Sequence, residues 1–90
     1  MRTPTISIIT VNFNNNEGLK KTLRSIEVQS YTSYEHIIID ADSNDGSQET
    51  IKKYSEKNTH LTYWVSEKDK GIYDGMNKGI RQAKGEYLYF

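Results

Sequence analysis

The aspartates of this 90-residue chain are grouped in a way that suits ligand binding. The seven glutamates are scattered, whereas all five aspartates lie in two short windows: Asp40, Asp42 and Asp45 in the first, Asp69 and Asp74 in the second. Like charges that are crowded together repel one another, so such a group is unfavourable for folding alone. A carboxylate can accept hydrogen bonds from a base N–H or from ribose hydroxyls. The two windows are therefore the candidate sites.

The first window lies at the end of a predicted strand. The β-branched run Ile37–Ile39 precedes it and is typical of a strand buried on both faces of a parallel sheet. Ligands of open α/β sheets bind beyond the carboxyl ends of such strands. Asp40 stands at the strand terminus, so we favour a binding role for it. Asp45, with Gln48 three residues later, fits a helix N-cap as well as it fits a site. Asp42 has no structural explanation in the sequence.

The other elements must build the sheet that positions these windows. Apolar runs and helical spacing predict seven elements: a strand at 6–11, a helix at 17–28, a strand at 35–39, a helix at 46–57, a strand at 61–65, a helix at 72–84 and a strand from 86. Helices between buried strands imply right-handed crossovers and a parallel sheet with helices on both faces. The predicted fold class is α/β, a Rossmann-like three-layer sandwich with a mostly parallel sheet and the order βαβαβαβ.

The third helix is expected to bury the apolar residues of one face: Ile72, Met76, Ile80 and Ala83. Its glycines at positions 75 and 79 each cost about 1 kcal/mol relative to alanine. We therefore expect them to serve close packing or the close approach of a ligand. Gly85 is the expected C-cap.

The first two strands are expected to be neighbours, which brings their carboxyl-terminal loops into one crevice. Segments Thr10–Phe13 and Asp40–Asp45 then lie close together, with Lys68–Asp74 beyond the third strand. The ring of Phe13 can stack on a base, a carboxylate can accept from the base or ribose, and a lysine can contact phosphate. The alternative is that Phe13 belongs to the core and the aspartates only cap and turn.

Composition excludes several classes of partner. Twelve basic and twelve acidic residues give no support for a nucleic-acid partner or an anionic membrane. Without cysteine there is no disulfide or thiolate metal site. No apolar stretch approaches the ~20 residues of a membrane span, so we expect a cytoplasmic protein. Because the sequence stops inside an apolar strand, we expect it to be the front part of a longer domain, whose exposed sheet edge favours self-association.

Three other interpretations of these segments are excluded. The segment from Asp40 resembles the start of a calcium-binding EF-hand, but position six is Asp45 instead of glycine and position twelve is Ile51 instead of glutamate. No glycine-rich phosphate loop follows the first strand, which excludes P-loop and dinucleotide-binding enzymes. A phospho-acceptor receiver domain would carry an acidic pair after that strand, where the first acid is Glu17.

Four segments, in order and at matching spacing, resemble the N-terminal half of a family 2 glycosyltransferase of the GT-A fold. They are S-I-I-T-V-N-F-N at 7–14, Ser25-Ile26 with Gln29–Tyr31, Glu35–Ser47, and S-E-K-D-K-G-I-Y-D-G-M-N-K-G at 66–79. The last is similar to the S-E-x-D-x-G-I-Y-D-A-M-N-K-G of a branch often found in bacterial surface-polysaccharide gene clusters. Together the four cover nearly the whole chain.

The resemblance implies a nucleotide-sugar donor, most often UDP-linked, and transfer with inversion to a hydroxyl of a saccharide or lipid-linked acceptor. The nucleotide-binding residues it implies are Thr10, Val11, Asn12, Phe13, Asp40, Asp69, Lys70 and Asp74; Asp42, in the same loop as Asp40, is a further candidate for nucleotide binding. Among these, Thr10–Phe13 would contact the base, and Asp69 and Lys70 would lie near the diphosphate, with Asp74 in the same crevice.

Two positions depart from the family pattern. Ala41 stands where many members have a second aspartate, so Asp40 is the expected base or ribose contact. Asp42 replaces the family's usual glycine and adds a charge without an assigned purpose.

Two parts of such an enzyme are expected beyond Phe90. The family's metal-binding D-x-D, for Mg²⁺ or Mn²⁺, follows the fourth strand, and the catalytic base lies further on. Inverting transfer needs a cation to stabilise the departing diphosphate and a carboxylate to deprotonate the acceptor. We therefore assign no catalytic residue or metal ligand here, expect the 90 residues alone to be inactive, and place the full-length enzyme in the cytoplasm or at the inner face of the membrane. The alternative is a non-catalytic nucleotide-binding or interaction module; a nucleotidyltransferase ranks third, since its glycine-rich, basic loop is absent.

Overall fold

The computed structural model describes residues 4–90, in which strands and helices alternate. The elements are β1 (Ile6–Asn12), α1 (Asn16–Val28), β2 (Tyr34–Asp40), α2 (Ser47–Lys57), β3 (Leu61–Ser66), α3 (Ile72–Gln82) and β4 (Tyr87–Tyr89). The predicted order βαβαβαβ is confirmed, although α3 ends two residues earlier than expected. Within residues 4–90, no helix combines the length and the apolar character needed to cross a bilayer.

The four strands form one parallel sheet in the order β3-β2-β1-β4. β1 and β2 are neighbours, as predicted, and pair along their whole length, from Ile6 with Tyr34 to Asn12 with Asp40. β4 pairs only with Ile6–Ile8 of β1. The carboxyl ends of β1, β2 and β3 therefore meet at one edge of the sheet.

The central strand β2 is buried at all seven positions, as its apolar run predicts. On one face of the sheet, α1 and α2 enclose a core of Leu19, Leu23, Ile38, Ile51 and Tyr54. On the other face, the core consists of Ile9, Ile37 and Ile39, with Val11, Tyr63, Val65 and Ala83 packed against it. The predicted three-layer sandwich is thus confirmed, with α3 on the second face.

The face that α3 turns to the sheet differs from the predicted one. Ile72 and Ile80 are 63% and 41% exposed, whereas Gly75 and Gly79 are buried. A Cβ at Gly79 would collide with Ile9, and one at Gly75 would lie 2.9 Å from Val11 Cγ1. We expected α3 to bury an apolar face from Ile72 to Ala83, and this was wrong for Ile72 and Ile80. The backbone of α3 approaches the sheet too closely for side chains to lie between them.

The amino end of the sheet is organised by the buried carboxylate of Glu35, which is 4% exposed. It accepts hydrogen bonds from Ser7 Oγ (2.6 Å), Thr62 Oγ1 (3.0 Å) and the N–H of Lys84. The expected C-cap role of Gly85 is wrong, since α3 is capped by Ala83. Gly85 instead donates its N–H to Ser7 Oγ (2.8 Å), and a Cβ there would lie 2.7 Å from Ser7 N.

Candidate functional site

A cleft opens at the carboxyl ends of β1, β2 and β3, on the face of the sheet that α3 covers. Its volume is about 590 Å³, and its lining comes from three loops: Val11, Phe13, Ala41, Asp42, Lys68, Asp69, Gly71 and Ile72. Small-molecule sites typically measure about 300–1,000 Å³ and combine apolar walls with a few polar groups. The cleft has this character.

Strand geometry decides which of the predicted residues reach the cleft. Successive side chains of a strand point to opposite faces. Val11 belongs to the α3-side core, so the next residue, Asn12, and its register partner Asp40 point towards α1 and α2. Ala41 therefore lines the cleft where Asp40 was expected.

Asp40 is fully buried, and both of its carboxylate oxygens are occupied by protein donors. Oδ1 accepts from Asn12 Nδ2 (2.9 Å) and Ser43 Oγ (2.7 Å), and Oδ2 accepts from the N–H of Ser43 (2.9 Å) and from Ser66 Oγ (2.7 Å). A ligand could reach this carboxylate only by displacing one of these donors. The structure thus gives Asp40 a positioning role that joins three strand ends.

Two predicted contacts from β1 lie outside the cleft as well. Asn12 is 5% exposed, and its amide is bonded to Asp40. The hydroxyl of Thr10 lies 2.8 Å from Nε2 of the buried His36, on the side of α1 and α2. Thr10 faces a second cavity, of about 750 Å³, that runs along β1. Of the first loop, only Val11 and Phe13 line the cleft.

The asparagine-rich loop after β1 binds the loop after β2, a function that the sequence interpretation missed. The N–H of Asn14 donates to Ser43 Oγ (2.8 Å), and the Asn14 side chain accepts from the N–H of Asn44 (2.8 Å). Asn16 accepts from Thr50 Oγ1 through its side chain (2.7 Å). Asparagine tolerates the positive φ of +45° found at position 14 and has both a donor and an acceptor. The sequence signal for this contact was the asparagine run at 14–16 together with the Ser-Asn-Asp segment at 43–45.

Asp45 is not the N-cap of α2, contrary to one of its two predicted roles. The N-cap is Gly46, at φ +98°, where a side chain would be strained. Asp45 Oδ1 accepts from Ser47 Oγ (2.6 Å) and the Ser47 N–H (3.1 Å), and Oδ2 accepts from the N–H of Asn16 (2.9 Å). The hydrogen bond from the Ser47 hydroxyl is the main cause that lowers the pKa of Asp45. This carboxylate therefore links the starts of both helices.

Phe13 and Asp42 are exposed side chains of the two joined loops that line the cleft. Phe13 is 63% exposed at the cleft, so the alternative that it belongs to the core is wrong. Asp42 is also exposed and has φ +56°, a conformation that aspartate tolerates better than most residues. An aromatic face and a carboxylate are thus presented together by a rigid pair of loops.

The opposite wall of the cleft is the loop between β3 and α3. Lys68 and Asp69 line it, whereas Lys70 does not. Asp69 Oδ1 accepts from the N–H of Gly71 (3.0 Å), and its Oδ2 is buried without a donor in the described part of the chain. Asp74 accepts from the N–H of Lys70 (3.0 Å) and so shapes the loop. Lys68 belongs to the predicted segment Lys68–Asp74 but not to the predicted nucleotide-binding residues, and it is the cation that this wall offers to a ligand.

Among residues 4–90, no three His, Cys, Asp or Glu side chains lie close enough together to hold a metal ion. Asp42 and Asp69 line the cleft as single carboxylates, and carboxylate-bound divalent cations normally need more oxygen ligands than these supply. The described residues do not fit the metal expected of the fold, and we derive no step through it.

Comparison with known proteins identifies a family and several relatives that are similar to this chain. Residues 7–90 match the model of a family described as Glycosyl transferase family 2. An uncharacterized glycosyltransferase of Mycobacterium tuberculosis is 42% identical over 88 residues, which cover 97% of this chain and 32% of that protein. A GalNAc(5)-diNAcBac-PP-undecaprenol beta-1,3-glucosyltransferase of Campylobacter jejuni is 28% identical over 88 residues, covering 97% of this chain and 28% of that protein. The chain thus spans less than a third of either relative.

Solved structures share this fold. One of them is a mannosyltransferase from Pyrobaculum calidifontis in complex with GDP-Man and Mn²⁺, which superposes with a TM-score of 0.83 over 98% of this chain and 27% of that one. The two sequences are 24% identical, so the likeness concerns the fold.

Proposed function

Because the chain belongs to glycosyl transferase family 2, we propose that it forms the nucleotide-sugar-binding part of a sugar-transferring enzyme of the GT-A fold. The carrying observation is the cleft at the carboxyl ends of β1, β2 and β3, whose lining combines Phe13, Asp42, Lys68 and Asp69. This is the position at which open α/β sheets bind nucleotides.

Each part of a nucleoside diphosphate finds a suitable group in the cleft. Phe13 offers an exposed ring on which a base stacks. Asp42 accepts hydrogen bonds from base N–H groups or ribose hydroxyls, and the Lys68 ammonium meets the diphosphate. Asp40 and Asn12 act behind this surface by holding the loops, and Thr10 contacts His36 on the same side of the sheet.

The finer features of the reaction extend this proposal. The donor is UDP-linked, and the sugar passes with inversion to a hydroxyl of a saccharide or lipid-linked acceptor in bacterial polysaccharide synthesis. The name of the Campylobacter jejuni relative, which describes a glucosyltransferase with an undecaprenol-linked acceptor, supports this class of acceptor. The enzyme works in the cytoplasm or at the inner face of the membrane.

The 90 residues alone are proposed to be inactive in sugar transfer. The described residues supply no metal cluster, and the cleft supplies no carboxylate that we assign as the base. We propose that residues outside the chain bind Mg²⁺ or Mn²⁺ and deprotonate the acceptor. Tyr87–Tyr89, exposed at the sheet edge, would let the isolated chain self-associate. Sugar transfer by this chain, purified free of longer forms, would contradict the proposed inactivity.

Calorimetric titration of the 90-residue chain with UDP and GDP tests the nucleotide site. We expect weak binding with a preference for UDP, and Phe13→Ala to weaken it about tenfold, because stacking on a base contributes roughly 1–3 kcal/mol. The matched control is Tyr31→Ala, which removes another exposed aromatic residue, from outside the cleft. Absence of nucleotide binding, or equal losses in both variants, would favour a module of this fold with another role.

A further inference from the structure

Lys78 of α3 holds the loop that forms one wall of the cleft, although it does not line the cleft. Its Nζ donates to the carbonyl oxygen of Lys68 (3.2 Å) and pairs with Glu67 Oε1 (3.2 Å) and Asp74 Oδ2 (3.8 Å). An ammonium has three N–H donors, and three acceptors surround this one. Only 16% of the Lys78 side chain is exposed. Two of its three partners belong to the loop.

The rest of the loop depends on Asp74, in the first turn of α3. Asp74, already paired with Lys78, accepts from the N–H of Lys70. Gly71 follows at φ +117°, a conformation that favours glycine, and α3 begins directly after it. The path of the loop from Glu67 to Gly71 is therefore defined by polar contacts to the first turns of α3.

Apolar packing contributes little to this wall. Glu67, Lys68, Lys70 and Gly71 are exposed, and only Asp69 is partly buried. The buried Oδ2 of Asp69 has no donor among the described residues, and an unmet buried acceptor opposes the conformation that creates it. The contacts of Lys78 must offset this.

We propose that Lys78 is a positioning residue for nucleotide binding: it keeps Lys68 and Asp69 at the cleft by fixing the β3–α3 loop to α3. The inference rests on the proposed function, because the ligand is the same nucleotide. Lys78 itself does not contact that ligand. Its loss lowers the fraction of molecules whose loop is ready to bind.

The test is Lys78→Met in the 90-residue chain, which keeps most of the aliphatic length and removes the three donors. We expect the backbone amide signals of Lys70 and Gly71 to shift in ¹⁵N-resolved NMR spectra recorded without ligand. If about a tenth of the molecules retain the ready loop, the dissociation constant for UDP rises about tenfold.

Two further variants separate positioning from charge. Lys78→Arg keeps a cation with donors for the same acceptors, so we expect it to restore the amide signals and most of the affinity. Arg81→Met removes one positive charge from an exposed position one turn further along α3, and a solvent-screened charge there should change the dissociation constant by less than about twofold.

The outcomes distinguish this inference from the proposed function. Unchanged amide signals in Lys78→Met, or an equal loss of UDP affinity in Arg81→Met, would overturn the role of Lys78. Absence of UDP binding by the unmodified chain would instead contradict the nucleotide site, while the ligand-free amide signals still decide whether Lys78 holds the loop.

Discussion

The two ends of β2 carry buried carboxylates with nearly the same surroundings. At the amino end, Glu35 accepts from a serine of β1, a threonine of β3 and a backbone N–H of the α3–β4 turn. At the carboxyl end, Asp40 accepts from an asparagine of β1, a serine of β3 and the loop that follows β2. In each case a carboxylate of the central strand joins both neighbouring strands to the adjacent loop.

The cleft lies beside Asp40 and not beside Glu35, so a buried acid alone does not mark the site. What differs is the set of side chains that point the other way: Phe13, Ala41 and Asp42 lie at the open surface beside Asp40. Glu35 faces the α3–β4 turn, which closes over it. An acid at the end of a buried strand therefore indicates a structural joint, and the candidate ligand contacts are its neighbours of opposite orientation.

The largest expected effect comes from breaking the joint at Asp40. Asp40→Ala leaves the donors of Asn12, Ser43 and Ser66 without their acceptor, and we expect the free energy of unfolding to fall by about 4 kcal/mol. Asp40→Asn retains one acceptor oxygen and should lose about half as much. Urea denaturation of the chain, followed by circular dichroism, measures both.

The same variants can contradict the contrast between the two carboxylates. If Asp40→Asn kept the stability of the unmodified chain but abolished UDP binding, Asp40 would be a ligand contact, as the sequence alone suggested. If Asp40→Asn instead lowered the free energy of unfolding and the binding free energy for UDP by similar amounts, the positioning role of Asp40 would be supported.

The elements and their order were predictable because they depend on local patterns. The β-branched apolar run Ile37–Ile39 favours a buried strand, and helical spacing places α1 and α2 correctly. The neighbouring positions of β1 and β2 followed from the doubly wound topology. These features predicted the edge of the sheet at which the cleft lies.

The orientation of residues at that edge was not predictable to the same degree. Strand alternation states that Asp40 and Ala41 point to opposite faces, but not which face carries the cleft. That depends on α3, which approaches the sheet through Gly75 and Gly79 and not through Ile72 and Ile80. Close packing was one of the two roles expected for these glycines, but the apolar periodicity of α3 also predicted that Ile72 and Ile80 would be buried, which was wrong.

The stability of β2 can also be tested by lowering the pH, because the strand contains the buried His36 between Glu35 and Asp40. Burial lowers the pKa of His36 to about 4 from 6.5. Since the folded state binds this proton less readily than the unfolded state, stability is complete above pH 6.5 and is lost as the pH falls towards 4. The loss should reach about 3 kcal/mol.

Urea denaturation at several pH values between 7 and 4 measures this loss. His36→Gln removes the titrating group and should flatten the profile in this range, at the expense of lower stability at pH 7. A profile that stays equally steep in His36→Gln would assign the acid sensitivity to other residues.

The smallest expected effect is the loss of stability on replacing Glu35, the buried carboxylate at the amino end of β2. Burial opposes the charged form of Glu35, but hydrogen bonds from Ser7, Lys84 and Thr62 outweigh it and lower the pKa of the carboxyl below 4.5. This stabilisation is present above pH 4.5 and is lost as the pH falls through the lowered pKa. Glu35→Gln should therefore cost about 1–2 kcal/mol at pH 7 and reduce the acid dependence only below pH 4.5.

Nucleotide affinity of the folded Glu35→Gln chain should not change, because five residue steps along an extended strand, about 16 Å, separate Glu35 from Asp40. Titration with UDP at pH 7 measures this. A large loss of affinity would show that the α3–β4 turn and the cleft are coupled through α3, since Ile72 at its start lines the cleft and Lys84, two residues beyond its end, donates to Glu35. The two carboxylates of β2 would then serve one site, and the contrast between the ends of the strand would fail.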